Sequence, residues 1–298
     1  MRGTTGTSGA GGRGPTDAGH ERADRSPSPD QVPAPGPEHG LGGRTARPVY
    51  PGEAGPGLAH RARTLREVDG LVAGCTACPR LVEFREKVAT ERRAAFRDQT
   101  YWGRGVPSFG DEQAGVVVVG LAPAAHGSNR TGRMFTGDRS GEVLVAAMHR
   151  TGFASQPTAV SRDDGLVLTG ARIVAPVHCV PPDNKPTPDE RRRCSPYLGR
   201  ELELLAPTVR VAVVLGGFGW VALLATLRDQ GWSVPRPRPR FGHGARVRIE
   251  HPDGRELTVL GCFHVSPHNT STGRLTPQMV DDVLLDARRI AGLNLPEE

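Results

Sequence analysis

Gly115-Val-Val-Val-Val-Gly-Leu121 is the stretch that most restricts what this 298-residue chain can become. Four consecutive valines show no polar alternation, so a strand built from them must be covered on both faces, as in a parallel sheet. Ala171–Val177 and Val209–Leu215 read as strands of the same sheet. Helical spacing separates them: Thr64–Val72, Pro79–Arg93, Ser140–His149, Pro188–Leu205, and an apolar run from Gly217 to Leu227. Arg246–Glu250 and Glu256–Gly261, joined by His251-Pro-Asp-Gly254, read as a hairpin. A last amphipathic helix runs from Thr276 to Ala291, capped by Thr276 with Pro277 at its first position. Such alternation predicts an α/β domain around a short, mainly parallel sheet. Ligands of these sheets bind at the carboxyl ends of the strands.

The beginning of the chain reads differently. Residues 1–50 hold 11 Gly and 7 Pro but only five of the Val/Ile/Leu/Met/Phe/Trp/Tyr set. So little apolar surface does not offset the entropy of ordering the chain. The expectation is a disordered Gly/Pro/Arg-rich tail over residues 1–62 and one folded domain over 63–298. No apolar run approaches the roughly 18 residues of a membrane span, and no apolar core follows Arg2 to make a signal peptide. A cytoplasmic protein is therefore expected. The net charge is +6, and only two of the 38 cations are lysines. Most of the excess falls on the folded part, which leans toward a polyanionic partner. Arg236-Pro-Arg-Pro-Arg240 interrupts the strand and helix pattern.

Four of the five cysteines form a pattern: Cys75-x2-Cys78, then Cys179-x14-Cys194, with Cys262 apart. Four thiolates suit tetrahedral zinc or an iron–sulfur cluster, whereas the bland alternative makes Cys179 and Cys194 small buried hydrophobes. Prolines beside each candidate ligand (Pro79, Pro181, Pro196) suggest ligands at element ends. A site spanning so wide a gap would tie the N-terminal helices to the middle of the domain.

Three further segments follow strand ends. Gly120-Leu-Ala-Pro-Ala-Ala-His-Gly-Ser-Asn-Arg-Thr-Gly-Arg-Met-Phe-Thr-Gly-Asp138 is a Gly-rich loop that matches neither the dinucleotide fingerprint nor the P-loop, so no nucleotide cofactor is expected. It brings an aromatic, Phe135, and an acid, Asp138. Asp183-Asn184-Lys185-Pro186 adds an amide, and His264-Val-Ser-Pro-His-Asn269 adds an imidazole. Each segment alone has an ordinary structural explanation, yet an acid, an amide, an imidazole and an aromatic at successive strand ends define a candidate active site. No Gly-x-Ser-x-Gly elbow and no His-Glu-x-x-His are present. Histidines 243, 251 and 268 read as loop residues.

Taken together, CTACPRLVEFRE at Cys75, YWGRGVPSFGD, GLAPAAHGSNRTGRMFTGD, APVHCVPPDNKPTPDERRRC and FHVSPHNTSTGRLT resemble the iron–sulfur uracil-DNA glycosylases, specifically their type 5 branch. The resemblance spans roughly residues 64–292. It implies a three-layer α/β/α sandwich, a structural [4Fe-4S] cluster on Cys75, Cys78, Cys179 and Cys194, and a monomer that takes uracil-containing DNA as partner. The implied activity is base-excision repair: a monofunctional hydrolase that flips uracil, and by extension other deaminated bases such as hypoxanthine, and leaves an abasic site. Leu121-Ala-Pro-Ala-Ala125 lacks the early acid or amide of other branches, and that absence marks type 5.

By the same resemblance Asp138 and His264 are the catalytic pair. Gly120, Ala122 and Pro123 border the base, Phe135 stacks on it, and Asn184 reads its O4 and N3–H through an amide that accepts and donates. His264 donates to the uracil O2 as charge develops there, and Asp138 orients water or stabilises the cationic sugar. Ser266, His268, Asn269 and Arg274 belong to the loop that meets the lesion strand. Two rivals remain at this level: a non-catalytic iron–sulfur or zinc DNA-binding module on the same scaffold, and a zinc-stabilised nucleotide hydrolase.

Overall fold

The computed structural model describes residues 55–294. Most of the expected tail lies outside the described residues, but its boundary shifts. Pro56–Arg61 forms a 3₁₀ turn in which Ala59 is buried, and Arg200 donates to Ala62 O at 2.8 Å. The folded part therefore begins before Arg63, because Ala59 and Ala62 fill space beside a later helix that the local composition does not reveal.

In chain order the elements are α1 (Leu65–Ala73), α2 (Pro79–Glu91), β1 (Phe109–Gly110), β2 (Val116–Val119), α3 (Ser128–Thr131), α4 (Arg139–Arg150), β3 (Ala171–Val174), α5 (Pro188–Leu205), β4 (Val211–Leu215), α6 (Gly217–Asp229), β5 (Arg246–Glu250), β6 (Glu256–Cys262), α7 (Pro267–Ser271) and α8 (Pro277–Ile290). The sheet order is β1-β3-β2-β4-β6-β5. The inner pairings β3/β2, β2/β4 and β4/β6 are parallel, and the edge pairings β1/β3 and β5/β6 are antiparallel.

Side-chain alternation along these strands sorts the core into two layers. Val116 and Val118 of β2 face α4 and α8, packing with Leu144, Met148, Val280 and Leu284. Val117 and Val119 face α5 and α6, packing with Leu198, Leu202, Leu223 and Leu224. The result is the α/β/α sandwich with a short, mainly parallel sheet. Thr276 caps α8 as expected, accepting from Met279 N; Thr64 likewise accepts from Glu67 N, and Thr187 with Glu190 closes a reciprocal capping box. Among the described residues no helix is long and apolar enough to cross a membrane.

Arg172 on β3 joins three elements across one face. It is 3 % exposed and donates to both carboxylate oxygens of Asp69 on α1 at 2.9 and 3.0 Å and to Glu201 Oε1 on α5 at 3.3 Å. Removing it leaves Glu201 buried with no counter-charge, which costs about 3–5 kcal/mol. Arg172→Met is accordingly expected to lower the urea midpoint of unfolding strongly with an unchanged slope.

Candidate active site

A cavity of about 470 Å³ opens at the carboxyl ends of the parallel strands. Gly120, Leu121 and Ala122 enter it from the end of β2, Ala175 from β3, and His264, Ser266 and Pro267 from the segment after β6; Phe135, Asp138 and Asn184 complete the wall. β2 is flanked by β3 on one side and β4 on the other, so the cavity sits where the chain reverses its direction of travel across the sheet.

Asp138 is the N-cap of α4, and its Oδ1 accepts from Gly141 N at 2.9 Å. Burial pushes its carboxyl above the ordinary aspartate range, against the opposing pull of the Gly141 and Ser140 amides and of Arg130. Arg130 braces this loop: it donates to His126 O at 2.7 Å, Gly137 O at 2.8 Å and Gln99 Oε1 at 2.6 Å. It also stacks over Phe96 at 4.0 Å. Gly127 lies directly against the Asp138 carboxylate, where any side chain would collide with Oδ2.

Phe135 holds φ at 49°, a left-handed conformation that costs a non-glycine residue on the order of 1–3 kcal/mol. Its N–H donates to Ser128 Oγ at 3.1 Å. A Cβ on Gly120 would meet the Phe135 ring at 3.0 Å, so the missing side chain is what lets the ring lie over the end of β2. A Cβ on Gly141 would run into the Phe135 carbonyl. Gly141→Ala is thus expected to displace Phe135 and to raise KM more than it lowers the melting temperature, measured as steady-state kinetics beside thermal unfolding.

The His264 ring lies 6.3 Å from that of Phe135, tilted by 33°. Burial lowers its pKa, so the imidazole is neutral at pH 7. Asn269 Nδ2 donates to His264 O at 2.8 Å and fixes the loop beneath the ring. Asp183 and Asn184 both hold positive φ, at 54° and 55°, and the Asn184 amide is exposed at the rim.

Seven of the expected site residues thus meet in one cavity: Gly120, Ala122, Phe135, Asp138, Asn184, His264 and Ser266. Pro123 is buried and does not line it. Asn269 and Arg274 line a neighbouring cavity, and exposed His268 sits in the short helix α7 rather than in a loop. Ser128, Met134 and Arg130 escaped sequence reasoning, since a serine contact to a backbone amide and a buried arginine brace leave no local pattern.

The four patterned cysteines line a second, small apolar cavity with Val72, Leu81, Val177 and Tyr197. Cys75 and Cys78 come from the α1–α2 connection, Cys179 from the segment after β3, and Cys194 from α5. The expected placement at element ends fails for Cys194, because α5 continues through Pro196 to Leu205. Burial and the neighbouring Cys179 and Cys75 push the Cys78 thiol up to about 11. Buried Arg85 donates to Cys179 Sγ at 3.0 Å and to Cys75 O at 2.9 Å, supplying positive charge to a site meant for thiolates. Among the described residues no three acid, imidazole or thiol side chains are placed to hold a single metal ion. The four thiols surround a small space, a donor set of the kind that tetrahedral zinc and iron–sulfur groups take. Cys262 is buried at the end of β6, apart from them.

A model of the uracil DNA glycosylase superfamily matches residues 107–288, which hold the sheet and the residues of the base cavity, and the chain belongs to that superfamily. A type-5 uracil-DNA glycosylase of Mycobacterium bovis is 46% identical over 274 residues, covering 86% of this chain and 99% of the relative. Those of Mycobacterium leprae and Thermus thermophilus are 49% and 48% identical over 236 and 222 residues, covering 79% and 74% of this chain and 100% and 96% of theirs. A type-4 uracil-DNA glycosylase of Archaeoglobus fulgidus reaches 33% over 160 residues, 53% of this chain and 69% of its own length. Within the superfamily the chain falls in the type-5 branch.

Proposed function

We propose that this protein is a monofunctional DNA glycosylase that hydrolyses the N-glycosidic bond of uracil in DNA and leaves an abasic site, the first step of base-excision repair. The observation that carries the reading is the meeting of Asp138, His264, Phe135 and Asn184 in one cavity large enough for an extruded base. Extrusion costs a few kcal/mol and is offset by contacts made only in the pocket. Phe135 stacks on the flipped ring, and the free Asn184 amide pairs with O4 and N3–H. As the bond breaks, negative charge moves onto the uracil ring. The neutral His264 donates a hydrogen bond to O2, a role often worth about 3–4 kcal/mol. With Oδ1 held by Gly141, Asp138 directs its remaining oxygen to the attacking water or the cationic sugar.

Cys75, Cys78, Cys179 and Cys194 would hold a [4Fe-4S] cluster, which supplies a structural tie between the α1–α2 connection and α5 and takes no part in base release. The protein acts as a monomer on DNA in the cytoplasm, without a nucleotide cofactor. Hypoxanthine is a second substrate, since no acid or amide occupies Leu121–Ala125 to select against it. The test is alkali-revealed cleavage of an end-labelled duplex with one uracil or one hypoxanthine. Cleavage at the uracil is expected. No cleavage by iron-replete protein would instead favour a DNA-binding module.

A further inference from the structure

Arg236-Pro-Arg-Pro-Arg240 lies between α6 and β5, and nothing in the base cavity uses it. All three arginines are exposed. The arginines that precede and follow them in the sequence pair elsewhere, Arg228 with Asp229, Arg246 with Asp286 and Arg248 with Glu256. Alternating prolines keep the segment out of helix and sheet, so its three cations sit close together on one short exposed stretch.

The segment is nevertheless anchored. Buried Trp220 donates through Nε1 to Pro239 O at 2.9 Å, and its ring meets Phe241 edge-on at 5.9 Å. Phe241 lies 6.3 Å from Phe263 and, with Phe218, lines a cavity of about 270 Å³. That cavity shares Leu121 and His264 with the base cavity. Arg274 stacks over Phe263 at 4.6 Å on its rim. The two cavities therefore adjoin, and Phe241, directly after Arg240 in the chain, lies on the wall of the second.

We propose that Arg236, Arg238 and Arg240 bind the phosphodiester backbone of the strand flanking the extruded nucleotide, as a second DNA-contact site. The proposal rests on the glycosylase reading above. Guanidinium groups pair with phosphate oxygens in bidentate fashion, and such contacts add affinity without sequence preference. The aromatic cavity between the two sites offers a stacking surface to a neighbouring base.

The experiment measures binding of an undamaged duplex between 50 and 200 mM salt. Each phosphate contact contributes about 0.9 to the salt slope, so replacing all three arginines by Gln should lower the slope by about 2–3. Over that range wild-type affinity should fall roughly 40-fold more than that of the variant. Replacement by Lys should keep the slope, and uracil release at saturating DNA should stay at the wild-type rate in both variants. A control removes the same charge at the opposite end of the sheet, with Arg210, Arg228 and Arg289 changed to Gln. An unchanged slope in the 236/238/240 variant, as for a partner other than DNA, overturns the proposal, as does an equal change in the control. Failure of the wild type to release uracil would strike the glycosylase reading alone, since the undamaged duplex reports binding without turnover.

Discussion

Asp138→Asn is expected to slow uracil release by about 10²- to 10⁴-fold while leaving the fold intact. The two functions of this side chain separate cleanly. Its Oδ1 caps α4 through Gly141 N, and an asparagine oxygen keeps that bond. Asp138→Ala loses the cap as well, so it should cost about 1 kcal/mol of stability in addition to activity. The melting temperature and the DNA affinity of the Asn variant therefore stay near wild type while single-turnover release collapses. The wild-type pH profile carries the same signature. The reaction uses the carboxylate, and burial raises the Asp138 pKa. Activity should thus fall with decreasing pH at a value above the ordinary aspartate range, and stay level through neutrality because His264 is already neutral there. Release by Asp138→Asn at the wild-type rate would remove this residue from the chemistry.

Cys194→Ser should abolish the proposed cluster site and also destabilise the fold. Cys194 is buried in α5 beside Cys179, at the centre of a small apolar cluster with Val68, Leu71, Leu81 and Tyr197. Leu81 of α2 is buried in that cluster. When a metal group closes such a site, much of its binding free energy is folding free energy. A loss of several kcal/mol corresponds to a fall in melting temperature of more than about 10 °C for a domain of this size. Iron content should drop with the brown colour in the same preparation. Cys262→Ser is the comparison, since this thiol lies away from the four and should leave iron unchanged. Zinc without iron in anaerobically prepared wild-type protein would overturn the cluster assignment while leaving the structural role of the site in place.

Much of the fold was legible because its signals are local. Uninterrupted valines require a covered strand, Thr276 and Pro277 start the last helix, and α5 spans the residues that its spacing indicates. β1 was not legible, because two residues have no periodicity and exist as a strand only through pairing with Ile173 and Arg172. The α7 turn escaped for the same reason. The start of the folded part was misplaced because Ala59 and Ala62 are apolar residues whose partner is distant in sequence.

The site divides in the same way. Residue types and order along the chain were enough to nominate Asp138, His264, Phe135 and Asn184, which lie in segments that follow strands, and the four cysteines, which recur at ligand spacing. Sequence by itself thus determined the order of the longer elements, the α/β class with its mainly parallel sheet, and the chemistry available at the strand ends. Tertiary structure alone decided which of those groups share a cavity, that Asp138 spends one oxygen on a cap, that Arg130 braces its loop, and that Phe241 lines a second cavity adjoining the first. These are contacts between residues far apart in the chain, and their energies depend on distance and burial, which no local pattern encodes.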